Sequence, residues 1–267
     1  MKTIELAHRW MTVAYDDVGT GLPVVLLHAF PLDREMWAPQ LSALAGAGFR
    51  GLAPDLPEFG RSTPGSEAFN IDRGADVVAD FLEALGVAKA VVGGLSMGGY
   101  VAMAFARLHP GRLRGLILAD TRAAPDNTEA RVKRDRLIAD VHGFGPSAAV
   151  DAMLPKLLSD HTRTAHPAVV ETVRRIGLRQ SATGLIAGLY ALRDRPDATP
   201  GLEGVTVPTL VLVGEHDAVT PPLAAARIAA NVRGSELAHI PGAGHLSNIE
   251  NPAAFNAAAI AFLRKLK

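Results

Sequence analysis

Residues 91–100 read VVGGLSMGGY, so four glycines surround Ser96 directly after a run of valines. Glycine at this density indicates that the backbone turns tightly or comes close to another group. The valines predict a strand before the turn, and residues 97–108 predict a helix after it, ended by the HPG at 109–111. The turn therefore presents either a bound phosphate or a reactive side chain.

Two phosphate-binding interpretations fail at specific positions. A P-loop requires a lysine followed by serine or threonine after its last glycine, and no lysine follows Gly98 or Gly99. In the dinucleotide fingerprint aligned on Gly94 and Gly99, Ser96 replaces the middle glycine, where the backbone must approach the pyrophosphate. The remaining interpretation is Gly94-x-Ser96-x-Gly98, a nucleophile elbow whose serine hydroxyl is exposed at the edge of a sheet.

The rest of the chain predicts the sheet to which this elbow belongs. Short, continuously apolar runs, typical of strands buried on both faces, occur at residues 23–28, 49–54, 88–92, 113–119 and 209–213. Helical patterns lie between them, one of which Asp72 could cap and Gly86 could end. This alternation predicts an α/β fold with a mostly parallel sheet of about eight strands and helices on both faces. Residues 3–8 and 12–16 alternate in polarity and predict an antiparallel hairpin at one edge.

One long segment interrupts the alternation. Residues 122–198 show helical periodicity, frequent Arg and Asp, and no valine-rich run. We interpret this segment as a helical cap inserted after the sixth strand, so that the core comprises residues 1–121 and 199–267. Its cations Arg131, Lys133, Arg134 and Arg136 could attract a carboxylate-bearing substrate, although a solvated helix face is the simpler interpretation. Its apolar residues Met153, Leu154, Leu157 and Leu158 are expected mostly to pack the cap onto the core.

Composition excludes several classes of partner. The 267 residues include 27 Lys and Arg against 27 Asp and Glu, a formal net charge of zero, so no overall field favours nucleic acid or an anionic membrane. The first residues do not resemble a secretory signal, and no apolar run is long enough to span a membrane, which predicts a cytoplasmic location. The absence of cysteine removes thiolate nucleophiles and cysteine metal sites.

A serine nucleophile requires a histidine base and an acid that orients it, in the chain order Ser, Asp or Glu, His. Asp217 follows a predicted strand, and His245 lies in a glycine-rich loop after another, so all three would meet at one edge of the sheet. Asp120 also follows a strand and is the alternative acid, although we favour Asp217. Glu215 and His216 are expected to be loop residues, His239 a packed or solvated strand residue, and the motif-free histidines surface residues: His8, His109, His142, His161 and His166.

Acyl transfer also requires hydrogen-bond donors for an oxyanion. The N–H of Met97, directly after the serine, is the first candidate, and the loop after the strand at residues 23–28 should supply the second. Phe30 is the candidate there, because Pro31 has no N–H. We interpret His28 as a structural histidine that fixes this loop.

Together these motifs resemble the α/β-hydrolase fold family over nearly the whole chain. The resemblance rests on the elbow, on HAFP at 28–31, PDLPEFGRS at 54–62, GEHD at 214–217 and HLSNIENP at 245–252. The chain looks most similar to small bacterial carboxylesterases, enol-lactonase-like hydrolases and cofactor-free perhydrolases. Ala29 replaces the usual glycine of the family, and residues 56–59 replace its usual Arg-Gly segment. Serine at position 96 differs from the aspartate of haloalkane dehalogenases and epoxide hydrolases.

The resemblance implies a serine hydrolase acting on small esters or lactones without a metal or organic cofactor, with Ser96, Asp217 and His245 as its triad. Pro31 resembles a proline of perhydrolase-like members, which keeps peracid formation as an alternative, and a turn-forming proline is an equally good interpretation. A receptor-like protein with slow turnover is the third possibility, since fold alone does not define function.

Overall fold

The computed structural model describes residues 1–267 and contains the expected mostly parallel eight-stranded sheet. Its strand order is β1-β2-β4-β3-β5-β6-β7-β8, and only the β1–β2 and β2–β4 pairs are antiparallel. The strands are β1 Lys2–Leu6, β2 Met11–Gly19, β3 Leu22–Leu27, β4 Phe49–Pro54, β5 Ala90–Leu95, β6 Leu113–Ala119, β7 Thr209–Gly214 and β8 Glu236–Ile240. The edge hairpin predicted from residues 3–8 and 12–16 is confirmed as β1 and β2.

Helices cover both faces of the sheet. They are α1 Ala38–Gly46, α2 Ile71–Ala84, α3 Met97–Leu108, α4 Thr128–Phe144, α5 Pro146–Leu157, α6 Asp160–Ala165, α7 Pro167–Leu178, α8 Ala182–Asp194, α9 Thr199–Leu202, α10 Pro222–Asn231, α11 Ser247–Glu250 and α12 Pro252–Arg264. Three short 3₁₀ helices are Ala7–Arg9, Arg34–Trp37 and Pro110–Arg112. No helix has the length and apolar character needed to cross a membrane.

The buried core forms two layers because successive strand residues point to opposite faces. In β3, Val25 and Leu27 belong to the cluster that includes residues of α2 and α3, whereas Val24 and Leu26 belong to the cluster that includes residues of α1 and α12. Both faces of the central strands are therefore buried, which explains why their sequences are continuously apolar rather than alternating.

Two local predictions were wrong in detail. Asp72 was expected to cap α2, but the cap is Asn70, whose side chain accepts a hydrogen bond from the Arg73 N–H; Asp72 lies in the first turn. The strand expected at 88–92 is shifted to Ala90–Leu95, because Gly93 and Gly94 continue the ladder beside β6 instead of starting the turn. The shift brings the strand to the residue before Ser96.

Five helices, α4 to α8, lie within residues 122–198, where the cap was expected, and the short α9 follows before β7. Leu157 and Leu158 are buried in the cluster on the α1 and α12 side, and Met153 and Leu154 pack against it. These four residues therefore contribute mainly to packing. The segment is also tied to the core by hydrogen bonds: the Gln180 side chain donates to Asp33 at 2.8 Å and accepts from the Gly60 N–H at 2.8 Å.

Candidate active site

Ser96 occupies the turn between β5 and α3 in an unusual backbone conformation. Its φ of 55° and ψ of −111° lie in a region that residues with a side chain rarely adopt. Such a conformation costs about 1–3 kcal/mol and persists only where the surroundings enforce it. The Ser96 N–H donates to the Ala119 carbonyl at 3.0 Å, and the Thr121 hydroxyl donates to the Ser96 carbonyl at 3.0 Å, so both peptide groups are held by the end of β6.

The glycines of the elbow allow three backbones to meet. A Cβ atom on Gly94 would overlap the Gly98 carbonyl at the start of α3, and one on Gly98 would overlap the Leu27 carbonyl of β3. Neither carbonyl can move without disturbing the sheet or the helix. Glycine at these two positions is thus a steric requirement of the turn, as the motif predicts.

Asp217 and His245 form a buried pair at the same edge of the sheet. His245 Nδ1 lies 2.9 Å from Asp217 Oδ2, and both side chains are almost fully excluded from solvent. Asp217 Oδ1 accepts two backbone N–H groups, those of Val219 and Thr220, each at 2.8 Å. The carboxylate is thereby fixed with one oxygen directed at the imidazole.

Thr220 is a member of this site that the sequence analysis missed. Its hydroxyl donates to Asp217 Oδ2 at 2.7 Å and lies 3.3 Å from His245 Nδ1. The sequence signal was the spacing of Asp217 and Thr220, because an aspartate commonly accepts hydrogen bonds from backbone groups two and three residues later. The contact with the histidine depends on the fold and has no local signal.

The electrostatics of the pair favour an ionised acid and a basic imidazole. Burial alone would raise the pKa of Asp217, but the charge of His245 and hydrogen bonds from His245 and Thr220 hold that pKa below its ordinary value. Burial alone would lower the pKa of His245, but the charge and hydrogen bond of Asp217 hold that pKa above 6.5. The arrangement stabilises a proton on the imidazole.

Ser96 is not hydrogen-bonded to this pair. The His245 Nε2 atom is buried and has no hydrogen-bond partner, and Ser96 is only 9% exposed. Nucleophile and base often approach only when substrate is bound, so looser apo geometry is compatible with a triad. All three side chains nevertheless follow the C-terminal ends of parallel strands β5, β7 and β8.

Asp120, the alternative acid, has different partners. It follows β6, accepts the Gly214 N–H at 2.8 Å, and accepts the Ser247 hydroxyl at 2.5 Å. Burial, followed by the nearby charge of Asp217, raises the pKa of Asp120 to about 8. Because Asp217 and not Asp120 bonds His245, the geometry favours Asp217 as the acid.

The loop after β3 carries Phe30, which was predicted to supply an oxyanion donor. The N–H of Phe30 donates to no protein atom, and the N–H of Met97, at the first position of α3, has no acceptor within its own helix. His28 accepts the Leu56 N–H on Nε2 at 3.0 Å and lies 3.1 Å from the Ala29 carbonyl through Nδ1. His28 thus links this loop to the loop after β4, as its structural interpretation predicts.

The remaining candidates lie apart from these contacts. Glu215 accepts the Gly242 N–H at 3.0 Å, so it stabilises a loop, and His239 is an exposed residue of β8. Among the motif-free histidines, His109 is only half-buried and lies 2.8 Å from Asp76. No cluster of His, Asp or Glu side chains has the geometry of a metal site.

Known proteins share this architecture over nearly the whole chain. Residues 23–252 match the family model for the alpha/beta hydrolase fold. A thermophilic esterase from Thermogutta terrifontis, solved with malate bound, is 42% identical, with 96% of this chain and 94% of that one covered and a TM-score of 0.93. The enol-lactonase from Burkholderia xenovorans LB400 is 27% identical, with 98% and 100% covered and a TM-score of 0.89. A non-heme chloroperoxidase from Kitasatospora aureofaciens is 29% identical over 87% of this chain and 88% of its own.

Proposed function

Because the chain belongs to the alpha/beta hydrolase fold family, we propose that it is a serine hydrolase that cleaves small carboxylic esters or lactones. Ser96 is the nucleophile, His245 the general base and Asp217 the acid that orients it. The observation that carries the proposal is the buried Asp217–His245 hydrogen bond of 2.9 Å at the sheet edge where the strained turn presents Ser96.

The first half of the reaction forms an acyl-enzyme. Ser96 Oγ attacks the carbonyl carbon while His245 Nε2 takes its proton, and the Asp217 carboxylate stabilises the resulting imidazolium. The N–H groups of Phe30 and Met97 bind the oxyanion, and losing one such donor typically costs about 10²–10³ in rate. The tetrahedral intermediate then collapses, the bond to the leaving oxygen breaks, and His245 returns the proton to the alcohol.

The second half releases the acid. His245 takes a proton from a water molecule, whose oxygen attacks the acyl carbon, and the bond to Ser96 Oγ breaks as the serine regains its proton. A lactone follows the same steps, except that alcohol and acid leave as one hydroxy acid. The proposal requires no cofactor, and we retain the cytoplasm as the predicted compartment and 122–198 as the predicted cap.

The relatives support this class of substrate. The similar structures include a thermophilic esterase and an enol-lactonase. Receptor-like behaviour predicts at most one turnover, so steady-state rates separate it from catalysis.

Hydrolysis of 4-nitrophenyl esters from acetate to octanoate tests the proposal, with wild type beside Ser96→Ala. We expect many turnovers in wild type and a loss of about 10⁶ in kcat in the variant, the order observed when a serine nucleophile is removed. Circular dichroism serves as the control for folding. A folded Ser96→Ala protein that retains wild-type turnover would refute the assignment.

Peracid formation is the second candidate, supported by the chloroperoxidase relative. Hydrogen peroxide would replace water in the second half-reaction, so that the acyl group leaves Ser96 as a peracid and the serine regains its proton. Acetic acid can supply the acyl group, with its hydroxyl leaving as water when Ser96 is acylated. The test is bromide oxidation with acetate and hydrogen peroxide, in which the released peracid oxidises bromide and returns to acetate, so both co-reactants are required. Activity that depends on Ser96 and on acetate supports this function, and its absence alongside ester hydrolysis excludes it.

A further inference from the structure

A basic cleft lies between α4 and α5 of the proposed cap and has a volume of about 310 Å³. Five cationic side chains line it against two carboxylates, those of Asp126 and Asp140. The cations are Arg122, Lys133, Arg134, Arg136 and Lys156. The whole chain has a formal net charge of zero, so the positive excess is local to this cleft. Three of the four cap cations singled out from the sequence belong to it.

Protein carboxylates leave this charge incompletely neutralised. Asp126 is buried and is shared by three guanidinium groups, those of Arg122 at 2.5 Å, Arg195 at 3.0 Å and Arg134 at 3.2 Å. The Nε atom of Arg122 is buried without a hydrogen-bond partner. Because three cations share one anion, an added anion would relieve their mutual repulsion.

Two other cations are available to a ligand. Lys133 is paired with Glu129 at 2.6 Å, whereas Arg136 and Lys156 form no ion pair and are exposed. Arg136 lies on α4 and Lys156 on α5, so they approach the cleft from its two walls. Apolar side chains, Leu137, Met153 and Val219, complete the lining. The cleft can therefore accept an anionic group attached to a carbon chain.

The cleft adjoins both loops that carry the proposed acid and base. Val219 lines the cleft, and its N–H donates to Asp217 at 2.8 Å. On the α5 side, the residue after Lys156 is Leu157, whose carbonyl accepts the N–H of Leu246 at 3.1 Å, directly after His245. The cleft is thus joined by backbone hydrogen bonds to the segments that carry Asp217 and His245.

We propose that the basic cleft binds a free carboxylate of the substrate, so that the preferred esters or lactones carry a second, ionised carboxyl group. Arg136 and Lys156 bind this carboxylate, while Arg122 and Arg134 hold Asp126 and shape the cleft. The inference rests on the proposed ester hydrolysis and specifies its substrate class. Charge-assisted hydrogen bonds of this kind are about twice as strong as neutral ones, which makes the free carboxylate a basis for selection.

Matched substrates test the inference. Mono-4-nitrophenyl adipate carries a carboxylate on its acyl side, and 4-nitrophenyl hexanoate has the same chain length without the charge. The butyrate ester of glycolic acid and its methyl ester form the second pair, in which the carboxylate is on the alcohol side. We expect a higher kcat/KM for the charged member of at least one pair, and the pair that responds identifies the side of the ester that the cleft binds.

The variant Arg136→Gln/Lys156→Gln should raise KM for the preferred charged ester by about tenfold or more and leave kcat/KM for the neutral ester within about twofold. Arg131→Gln is the matched control, because it removes a cation from the same helix but does not line the cleft. Equal effects of the double variant on charged and neutral esters, or no effect on either, would overturn the inference while ester hydrolysis itself stands.

A binding measurement separates this inference from the proposed function. Calorimetric titration of Ser96→Ala with adipate, and with the neutral adipamide, reports the cleft independently of turnover. Binding of adipate alone, weakened in the background of Arg136→Gln/Lys156→Gln, supports the carboxylate site even if no ester is hydrolysed. Binding of neither compound, or of both equally, contradicts it. Failure of wild type to hydrolyse any ester would instead contradict the proposed function.

Discussion

Asp217 and Asp120 are two buried carboxylates at the ends of neighbouring strands, and their environments differ in kind. Asp217 accepts two backbone N–H groups, a hydroxyl and the imidazole, so its ionised form is well compensated. Asp120 accepts one N–H and one hydroxyl and lies in the field of Asp217. The difference in partners, rather than position on the sheet, separates their proposed roles.

Replacing each carboxylate by its amide tests this separation. Asp217→Asn should lower kcat for ester hydrolysis by about 10⁴, since an amide stabilises the wrong imidazole tautomer. Asp120→Asn is the isosteric control and should cost far less, because it does not touch His245. Steady-state rates of both purified variants are the measurement. A larger loss in Asp120→Asn than in Asp217→Asn would reverse the assignment.

The pH dependence of catalysis follows from the same contacts. The free enzyme needs a neutral imidazole, and a base whose pKa is raised stays protonated to higher pH, so activity is lost below that pKa. We expect kcat/KM to rise with pH through a midpoint above 6.5. In Asp217→Asn the residual activity should show a midpoint at lower pH, because the largest charge that opposes the effect of burial on the pKa of His245 is then removed and only those of Asp120 and Glu250 remain. An unchanged midpoint would show that Asp217 does not control the imidazole.

At the scale of elements, the site depends on how closely β3, β5 and α3 approach one another. Gly98 lies against the Leu27 carbonyl, so the first turn of α3 sits directly on β3. The same contact places the N-terminus of α3, and with it the Met97 N–H, beside the loop that begins at His28. Ser96, the proposed nucleophile, and the proposed oxyanion donors are thus positioned by one packing contact.

Two glycine substitutions distinguish this contact from general helix effects. Gly98→Ala should lower the free energy of unfolding by more than about 4 kcal/mol or prevent folding, because backbone atoms cannot yield to the added methyl group. Gly143 lies in the last turn of α4, and an added methyl group there would have no neighbour within 4 Å. Gly143→Ala should therefore raise the free energy of unfolding by about 0.5–1 kcal/mol. Urea denaturation measures both. Wild-type stability in Gly98→Ala would contradict the packing described.

Features that depend on local sequence could be predicted, and features that depend on distant contacts could not. The elbow, the strand before Asp217 and the glycine-rich loop at His245 each carry a signal within about ten residues, so their placement at one sheet edge followed from the parallel fold. Thr220 and Ser247 gained their roles from neighbours that only folding supplies. The predicted N-terminal capping residue of α2 was wrong because Asn70 and Asp72 are both good capping residues, and local sequence does not separate them.

At the scale of the whole molecule, the proposed cap is joined to the core near both halves of the site. Gln180, between α7 and α8, links the loop after β3 to the loop after β4 through Asp33 and Gly60. Glu250 accepts the N–H groups of Ser159 and Gly244, which joins the α5–α6 junction to the loop of His245. These hydrogen bonds therefore connect the proposed cap to the loops of Phe30 and His245.

Gln180→Met tests this coupling. It leaves the Gly60 N–H and one hydrogen-bonding position of Asp33 without their partner, so the free energy of unfolding should fall by about 1–3 kcal/mol for each group left unsatisfied. We also expect a lower kcat for esters, since the loop carrying Phe30 loses a support. Arg175→Gln, which removes only the exposed pair with Glu35, should cost less than about 1 kcal/mol. Equal stability and activity in the two variants would argue against the coupling.

Covalent modification of Ser96 tests its role as the nucleophile most directly. Wild type and Ser96→Ala would be treated with diethyl 4-nitrophenyl phosphate and analysed by intact-protein mass spectrometry and peptide mapping. We expect one diethylphosphoryl group per chain, located on Ser96, loss of esterase activity in proportion to labelling, and no label in Ser96→Ala. Stoichiometric labelling at another residue, or full activity in protein fully labelled at Ser96, would contradict the claim that this serine is the nucleophile.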